Sequence, residues 1–209
     1  MCFSASASFI ASGGLAAVGG AALHIAKGRH QKLIAAIPLL FAIQQGLEGW
    51  QWIALNNGSM NMFAGYLFLF FALLFWPMYV PMSIFVLDKK QRDVLGIFVG
   101  IGIALALFFS VILIREPLVI QACNHSIVYL LHIPLNYAVT LLYYFTVCGA
   151  LFFSSKREFH WFSVVVFLSA AIAAYFFLDA FISVSCFFEA LLSSLIYFYL
   201  KYHRAHARK

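Results

Sequence analysis

Seven stretches of this chain are apolar for long enough to carry a helix across a bilayer core, which takes about 20 residues. They run over Ser8–Ala26, Leu33–Leu55, Met60–Leu87, Val94–Ile114, Leu135–Phe153, Trp161–Leu178 and Ile182–Leu200. Together they use up the chain, so residues 1–209 read as one all-α polytopic bundle of seven transmembrane helices. Composition agrees: 65% of residues are apolar and 10% charged, against about 45–50% and about 25% in a soluble domain. So few charges cannot cover a water-facing surface. That excludes a soluble enzyme, a nucleic-acid-binding domain and a disordered chain, and it makes the lipid bilayer the first partner. The third stretch is long and contains Pro77 and Pro81, which predict a kink or tilt. Arg115–Pro134, between the fourth and fifth stretches, is apolar in part and is expected to rest on the membrane surface or re-enter it.

Orientation follows from the basic residues, which concentrate in cytoplasmic loops. Lys27, Arg29 and Lys32, then Lys89, Lys90 and Arg92, then Lys156 and Arg157, then Lys201, Arg204, Arg208 and Lys209 fall on one side if there are seven spans. These are twelve of the thirteen basic residues, with Arg115 on the other side. The expected topology places the N-terminus outside and the C-terminus inside. No basic n-region precedes the first stretch, so it reads as a retained span rather than a cleaved signal peptide. Net charge +6 is then a topology signal, with no nucleic-acid partner implied.

Ionisable and amide side chains inside a span are costly and usually face the bundle interior. In the second stretch Gln44, Glu48 and Gln51 share a helix face, with Gln45 and Trp52 on the neighbouring stripe. Glu48 lies about 10 Å inside the outer end at the helical rise. The fifth stretch carries His132, Asn136 and Thr140 at spacings of four, and the seventh carries Cys186, Glu189 and Ser193 with Ser183 and Ser185 above them. Asp179 stands at the end of the sixth. The expected orientation puts nearly all of these in the outer half, together with Cys2, Ser4, Ser6 and Ser8. The inference is an outward-facing polar pocket that binds a small ligand or ion, using Gln44, Gln45, Glu48, His132, Asn136, Ser183, Cys186, Cys2 and Ser4.

The chain has no C-x-x-C, H-x-x-x-H or H-E-x-x-H motif. Thiol, imidazole and carboxylate from Cys2, Glu48, His132 and Cys186 could still assemble in space as a transition-metal site. A disulfide from Cys2 to Cys186 or Cys123 would suit an oxidising exterior. In the first stretch, Ser12, Ala16 and Gly20 with Gly13, Ala17 and Ala21 form rows of small residues, expected to let another helix approach closely.

The opening MCFSASASF, the run IPLLFAIQQGLEGWQW and the run FISVSCFFEALLSS together resemble a family of small, uncharacterised bacterial membrane proteins that begin MCFSxxASF. The resemblance implies a multi-pass protein of the bacterial inner membrane. It singles out Cys2, Phe3, Ser4, Ser8, Phe9, Gln44, Gln45, Glu48, Ser183, Cys186 and Phe187. Two positions depart from that family's pattern: Ser185 stands where an aromatic residue is usual, and Glu189 where a small one is. No activity is implied. The expected function is therefore a sensor or small transporter. The alternatives are a membrane-embedded enzyme and a structural subunit. The enzyme would use a metal, or Cys2 or Ser4 as nucleophile with His132 or Glu48 as base, on a lipid or periplasmic substrate.

Overall fold

A chain segment in hydrocarbon must close its own backbone hydrogen bonds, and a helix does so within the segment. A computed structural model describes residues 4–123 and 126–206 and has helix at every apolar stretch. The elements are α1 (Ala5–Ile25), α2 (Gly28–Ala35), α3 (Ile37–Asn56), α4 (Met62–Leu69), a π-helical turn (Phe70–Phe75), α5 (Trp76–Leu87), α6 (Arg92–Arg115), strands β1 (Val119–Cys123) and β2 (Ser126–Leu130), α7 (Asn136–Phe152), α8 (Arg157–Phe176), α9 (Phe181–Ser193) and α10 (Leu195–His206). Among the described residues six rods are long and apolar enough to cross a membrane: Ala5–Ile25, Gly28–Asn56, Met62–Leu87, Arg92–Arg115, Arg157–Phe176 and Phe181–Arg204. The remaining apolar helix, α7, has 17 residues.

The surface is inverted relative to a soluble protein. Ile10, Ile114 and Tyr175 are more than three-quarters exposed, while Gln44, Gln45, Glu48 and Gln51 are fully buried. The exposed side chains of the rods are mostly apolar, and several of their polar side chains are buried within the bundle.

In α1 the contact face is not the expected one. Gly13, Ala16, Ala17 and Gly20 are exposed, and Ser8, Leu15, Gly19 and Ala22 are buried. Gly19 packs so closely on α3 that a Cβ there would lie 2.6 Å from the Leu39 nitrogen. Ser12 strengthens the same seam by donating to the Ala42 carbonyl at 2.7 Å. Small residues line two faces of α1, so composition alone could not choose between them.

The Pro77–Pro81 pair acts through the backbone ladder. Trp76 N–H reaches back five residues to the Phe71 carbonyl. In this register the next donor, due at the Ala72 carbonyl, is residue 77, a proline with no N–H. The Tyr143 hydroxyl from α7 takes its place at 2.7 Å. One turn later Pro81 deprives the Pro77 carbonyl of its helical donor. That oxygen occupies the space a Cβ at Gly102 would need, so α6 lies directly against it.

Arg115–Pro134 was expected to lie on the membrane or re-enter it, with no strand in an all-α fold. It contains an antiparallel hairpin that pairs Val119 with Leu130 through Cys123 with Ser126. β2 is buried from Ser126 to Tyr129, whereas β1 buries only Ile120. Tyr129 stacks on Phe68 at 4.8 Å between ring centroids, Ile120 fills the space left by Gly65, and Val128 packs with Ala173, Ala180 and Val184. The hairpin plugs the end of the bundle opposite the basic loops.

At the basic end, Asp88 caps the chain after α5 and is 2% exposed. Its Oδ2 accepts from Ser154 Oγ at 2.8 Å and from the Ser155 N–H, and its Oδ1 accepts from Ser155 Oγ at 2.9 Å and Lys90 N–H at 3.0 Å. Burial pushes this carboxyl up, but the four donors outweigh it and hold the group below the usual aspartate value. The α5–α6 and α7–α8 loops are thereby tied through one charge.

Candidate functional site

α3 starts at a proline-compatible first turn, with Pro38 near its N-terminus, and then carries four polar side chains into the bundle. Gln44, Gln45, Glu48 and Gln51 fall within two turns, and all four are fully buried. Gln44 Oε1 accepts the Trp76 indole N–H at 2.7 Å. Glu48 Oε1 accepts a short hydrogen bond from the Ser183 hydroxyl at the start of α9. Gln45 adjoins the Glu48 carboxyl but makes no well-formed hydrogen bond. Glu48 Oε2, both amide atoms of Gln51 and the Oγ of fully buried Ser8 have no hydrogen-bond partner among the described residues. On α1, Phe9 lies against Gly49, which sets Ser8 near the level of this layer.

The layer therefore contains a carboxyl, amide oxygens, amide N–H groups and hydroxyls, a mixture of acceptors and donors. Such groups are rarely left unpaired when buried. The arrangement suits a small species that donates and accepts hydrogen bonds.

A second polar pair lies on the far side of Trp76. Tyr144 donates to Glu189 Oε1 at 2.9 Å, and Trp76, Tyr143 and Glu189 line a common cavity. That cavity is small, with room for about 80 Å³, and is otherwise apolar, bounded by the α2–α3 rod, α5, α7, α8 and the α9–α10 rod.

Several expectations about the site change. Gln44, Gln45, Glu48 and Ser183 come together, but as a closed layer with fully buried side chains, not as an open outward-facing pocket. His132 and Asn136 are exposed. Among the described residues Asn136 bonds to Thr140, at 3.4 Å, so that stripe faces away from the layer. Cys186 is buried and lies on the Tyr143–Tyr144 side. Ser4 serves as the N-cap of α1, accepting from Ala7 N–H at 3.2 Å and sharing a hydrogen bond with Ser6 Oγ at 3.0 Å. Asp179 is exposed at a helix end. Among the described residues no three His, Cys, Asp or Glu side chains gather to hold a metal ion. The expected transition-metal grouping of Glu48, His132 and Cys186 is thus not supported. Cys2, its fourth member and the proposed disulfide partner, lies outside the described residues.

Trp76 and Tyr144 were missed as site residues. Trp76 did carry a signal: tryptophan usually sits at the membrane interfaces, and this one is in the middle of a span. Tyr144 carried none, since it acquires its role from a residue 45 positions away.

The chain belongs to a family of unknown function, DUF6629, whose model matches residues 1–209. No curated protein and no solved structure matches it.

Proposed function

We propose that the protein is a multi-pass inner-membrane protein of bacteria, with seven spans and the N-terminus outside, that binds a small hydrogen-bonding solute or cation around Glu48. The observation that carries this reading is the set of buried atoms with no hydrogen-bond partner among the described residues: Glu48 Oε2, Gln51 Oε1 and Nε2, and Ser8 Oγ. Leaving a buried polar group unpaired costs about 1–3 kcal/mol, and in hydrocarbon no water is at hand to relieve it. Residues that served only to join helices would be paired with each other, as Trp76 is with Gln44. A bound species supplies the missing partners, and its loss or arrival shifts the relation of α3 to α9 through the Glu48–Ser183 contact. Sensing fits this better than bulk transport, because the wall of the cavity on the other side of Trp76 is almost wholly apolar and offers no continuing polar path.

The test is thermal unfolding in neutral detergent with lithium, sodium, potassium, ammonium or a bulky organic cation as control, together with native mass spectrometry for a retained solute. Wild type should be stabilised by one of the small species or retain one, and Glu48→Gln should lose that response. Gln51→Leu separates the alternatives further. If the layer is a binding site, this variant is more stable than wild type and no longer binds; if the layer only joins helices, it is less stable. A wild type that retains nothing, responds to none of the cations and is weakened by Gln51→Leu would overturn the reading.

A further inference from the structure

Near the basic end, α8 and the α9–α10 rod leave a groove between them. It is lined on α8 by Trp161, Phe162 and Val165 and on the other rod by Leu195, Phe198 and Tyr202. It offers about 350 Å³, within the range of small-molecule sites, about 300–1,000 Å³. Trp161, Phe198 and Tyr202 are each more than half exposed, so the groove opens away from the bundle interior. A bilayer crossed by these rods covers that side with acyl chains.

The lining changes along the groove. On α8 the positions Glu158, Trp161, Phe162 and Val165 follow the spacing of one helix face, and Glu158 to Val165 spans about 10 Å at the helical rise. Around Val165, Leu195 and Phe198 the wall is apolar. Toward the basic end Trp161, Tyr199 and Tyr202 accompany the Glu158 carboxyl. His203 gathers this end: its ring meets Glu158 Oε1 at 3.0 Å, and its centroid lies 4.6 Å from that of Tyr199 and 5.8 Å from that of Tyr202. The Glu158 side chain is 42% exposed, at the water end of its rod, where a carboxyl is ionised at neutral pH. A carboxylate has about four acceptor positions, so the His203 contact leaves it room for another donor.

Aromatic faces beside a carboxylate attract a cation, the rings through their quadrupole and the acid through charge and hydrogen bonds. This cation must carry an apolar tail, because the groove runs on into an apolar slot on the lipid side. Lys156 and Arg157 immediately precede Glu158 and suit a phosphate placed next to the cation. An ammonium, a neighbouring phosphate and an acyl chain are the parts of a phosphoethanolamine lipid.

We propose that the groove between α8 and α10 binds a phosphoethanolamine lipid from the leaflet at the basic end, with its ammonium at Glu158, Trp161, Tyr199 and Tyr202, its phosphate at Lys156 and Arg157, and one acyl chain along Val165 and Leu195. The bound lipid keeps the orientation of its neighbours in the bilayer and enters sideways. A phosphoglycerol lipid with the same phosphate and chains lacks the ammonium and brings a net negative charge to Glu158. The site is separate from the Glu48 layer between α3 and α9, so each reading stands or falls alone.

The test uses full-length protein stripped of co-purified lipid in neutral maltoside micelles. Phosphatidylethanolamine and phosphatidylglycerol with identical acyl chains are added at equal mole fraction, and native mass spectrometry counts the lipid retained. Brominated acyl chains quench a nearby indole, and the share due to Trp161 is the quenching lost in Trp161→Phe. Wild type should retain one phosphatidylethanolamine per chain, with at least fivefold preference over phosphatidylglycerol, and should show that Trp161 share. Glu158→Gln should reduce the preference below twofold. Tyr202→Leu, which keeps the groove apolar and the carboxylate in place, should lower it at least twofold. Val165→Trp fills the apolar slot, keeps every charged group and should abolish retention; it serves if Glu158→Gln does not fold. Glu48→Gln should leave lipid retention unchanged. Equal retention of the two lipids by wild type, an unchanged preference in Glu158→Gln or unaltered retention in Val165→Trp would overturn the site and leave an unselective lipid annulus. Preference for phosphatidylglycerol would overturn it in favour of the basic residues alone.

Discussion

Asp88→Asn is the sharpest perturbation of the scaffold. The carboxylate accepts four hydrogen bonds from Ser154, Ser155 and Lys90 at a position that is 2% exposed. Asparagine keeps one carbonyl oxygen and places an NH₂ group against the two donors that Oδ2 now serves. The Ser154 hydroxyl can rotate and accept from it, but the Ser155 N–H cannot. Hydrogen bonds to a charged group contribute about 1.5–3 kcal/mol each and are not additive within one network. With one bond lost and one weakened, the variant should be destabilised by about 2–4 kcal/mol. The assay is reversible unfolding in mixed micelles, titrated with a denaturing detergent at a series of pH values. The sign of the pH dependence follows from the direction of the shift. The folded-state value lies below the ordinary aspartate value of about 3.9. The charge therefore stabilises the fold fully above that ordinary value, and this contribution is lost as pH falls below it through the folded value. The gap between wild type and Asp88→Asn should be constant from pH 5 to 8 and shrink under more acid conditions, subject to the micelle remaining intact. A gap under about 0.5 kcal/mol, within the ordinary range of surface substitutions, or one that widens as pH falls below 4, would refute the account.

Three further outcomes follow from packing and pairing. Tyr143→Phe should cost about 1–3 kcal/mol by stranding the Ala72 carbonyl, and the loss should shrink when Pro77→Ala restores a main-chain donor, as read from a double-mutant cycle of unfolding free energies. Gly102→Ala should cost at least about 1–3 kcal/mol, because the new methyl meets the Pro77 carbonyl rather than a movable side chain; equal stability would show that α6 can withdraw freely. Ser4→Ala should cost about 1 kcal/mol through the lost N-cap while leaving the cation response unchanged, which separates capping from a role in binding.

The rods were legible because their signal is local. Val94–Ile114 is realised as Arg92–Arg115, and Leu135–Phe153 as Asn136–Phe152; apolar length needs no knowledge of neighbours. Gln44, Glu48 and Ser183 were legible for a related reason, since polar groups in a span must turn inward whatever they meet there. The same logic failed for His132 and Asn136, which sit where the chain is only entering α7 and no burial is enforced. The hairpin was hidden because short apolar runs such as Val119–Cys123 and Ser126–Leu130 are compatible with either helix or strand. Asp88 was hidden because its partners lie 66 and 67 residues downstream. The cavity beyond Trp76 is the extreme case: five rods bound it, and nothing in any one of them marks an empty space.

The hairpin has one more consequence, for the bilayer rather than the protein. α7 has 17 residues, about 25 Å at the helical rise, whereas the hydrocarbon core is about 30 Å thick. The missing length lies where the chain is folded into β1 and β2. β1 is largely exposed and the sheet has two strands, so its outer edge carries main-chain groups that cannot face acyl chains. If α7 is the seventh span, as proposed above, the lipid would yield instead: headgroups and water would be drawn down beside it, a one-sided hydrophobic mismatch that would dent the membrane around the protein.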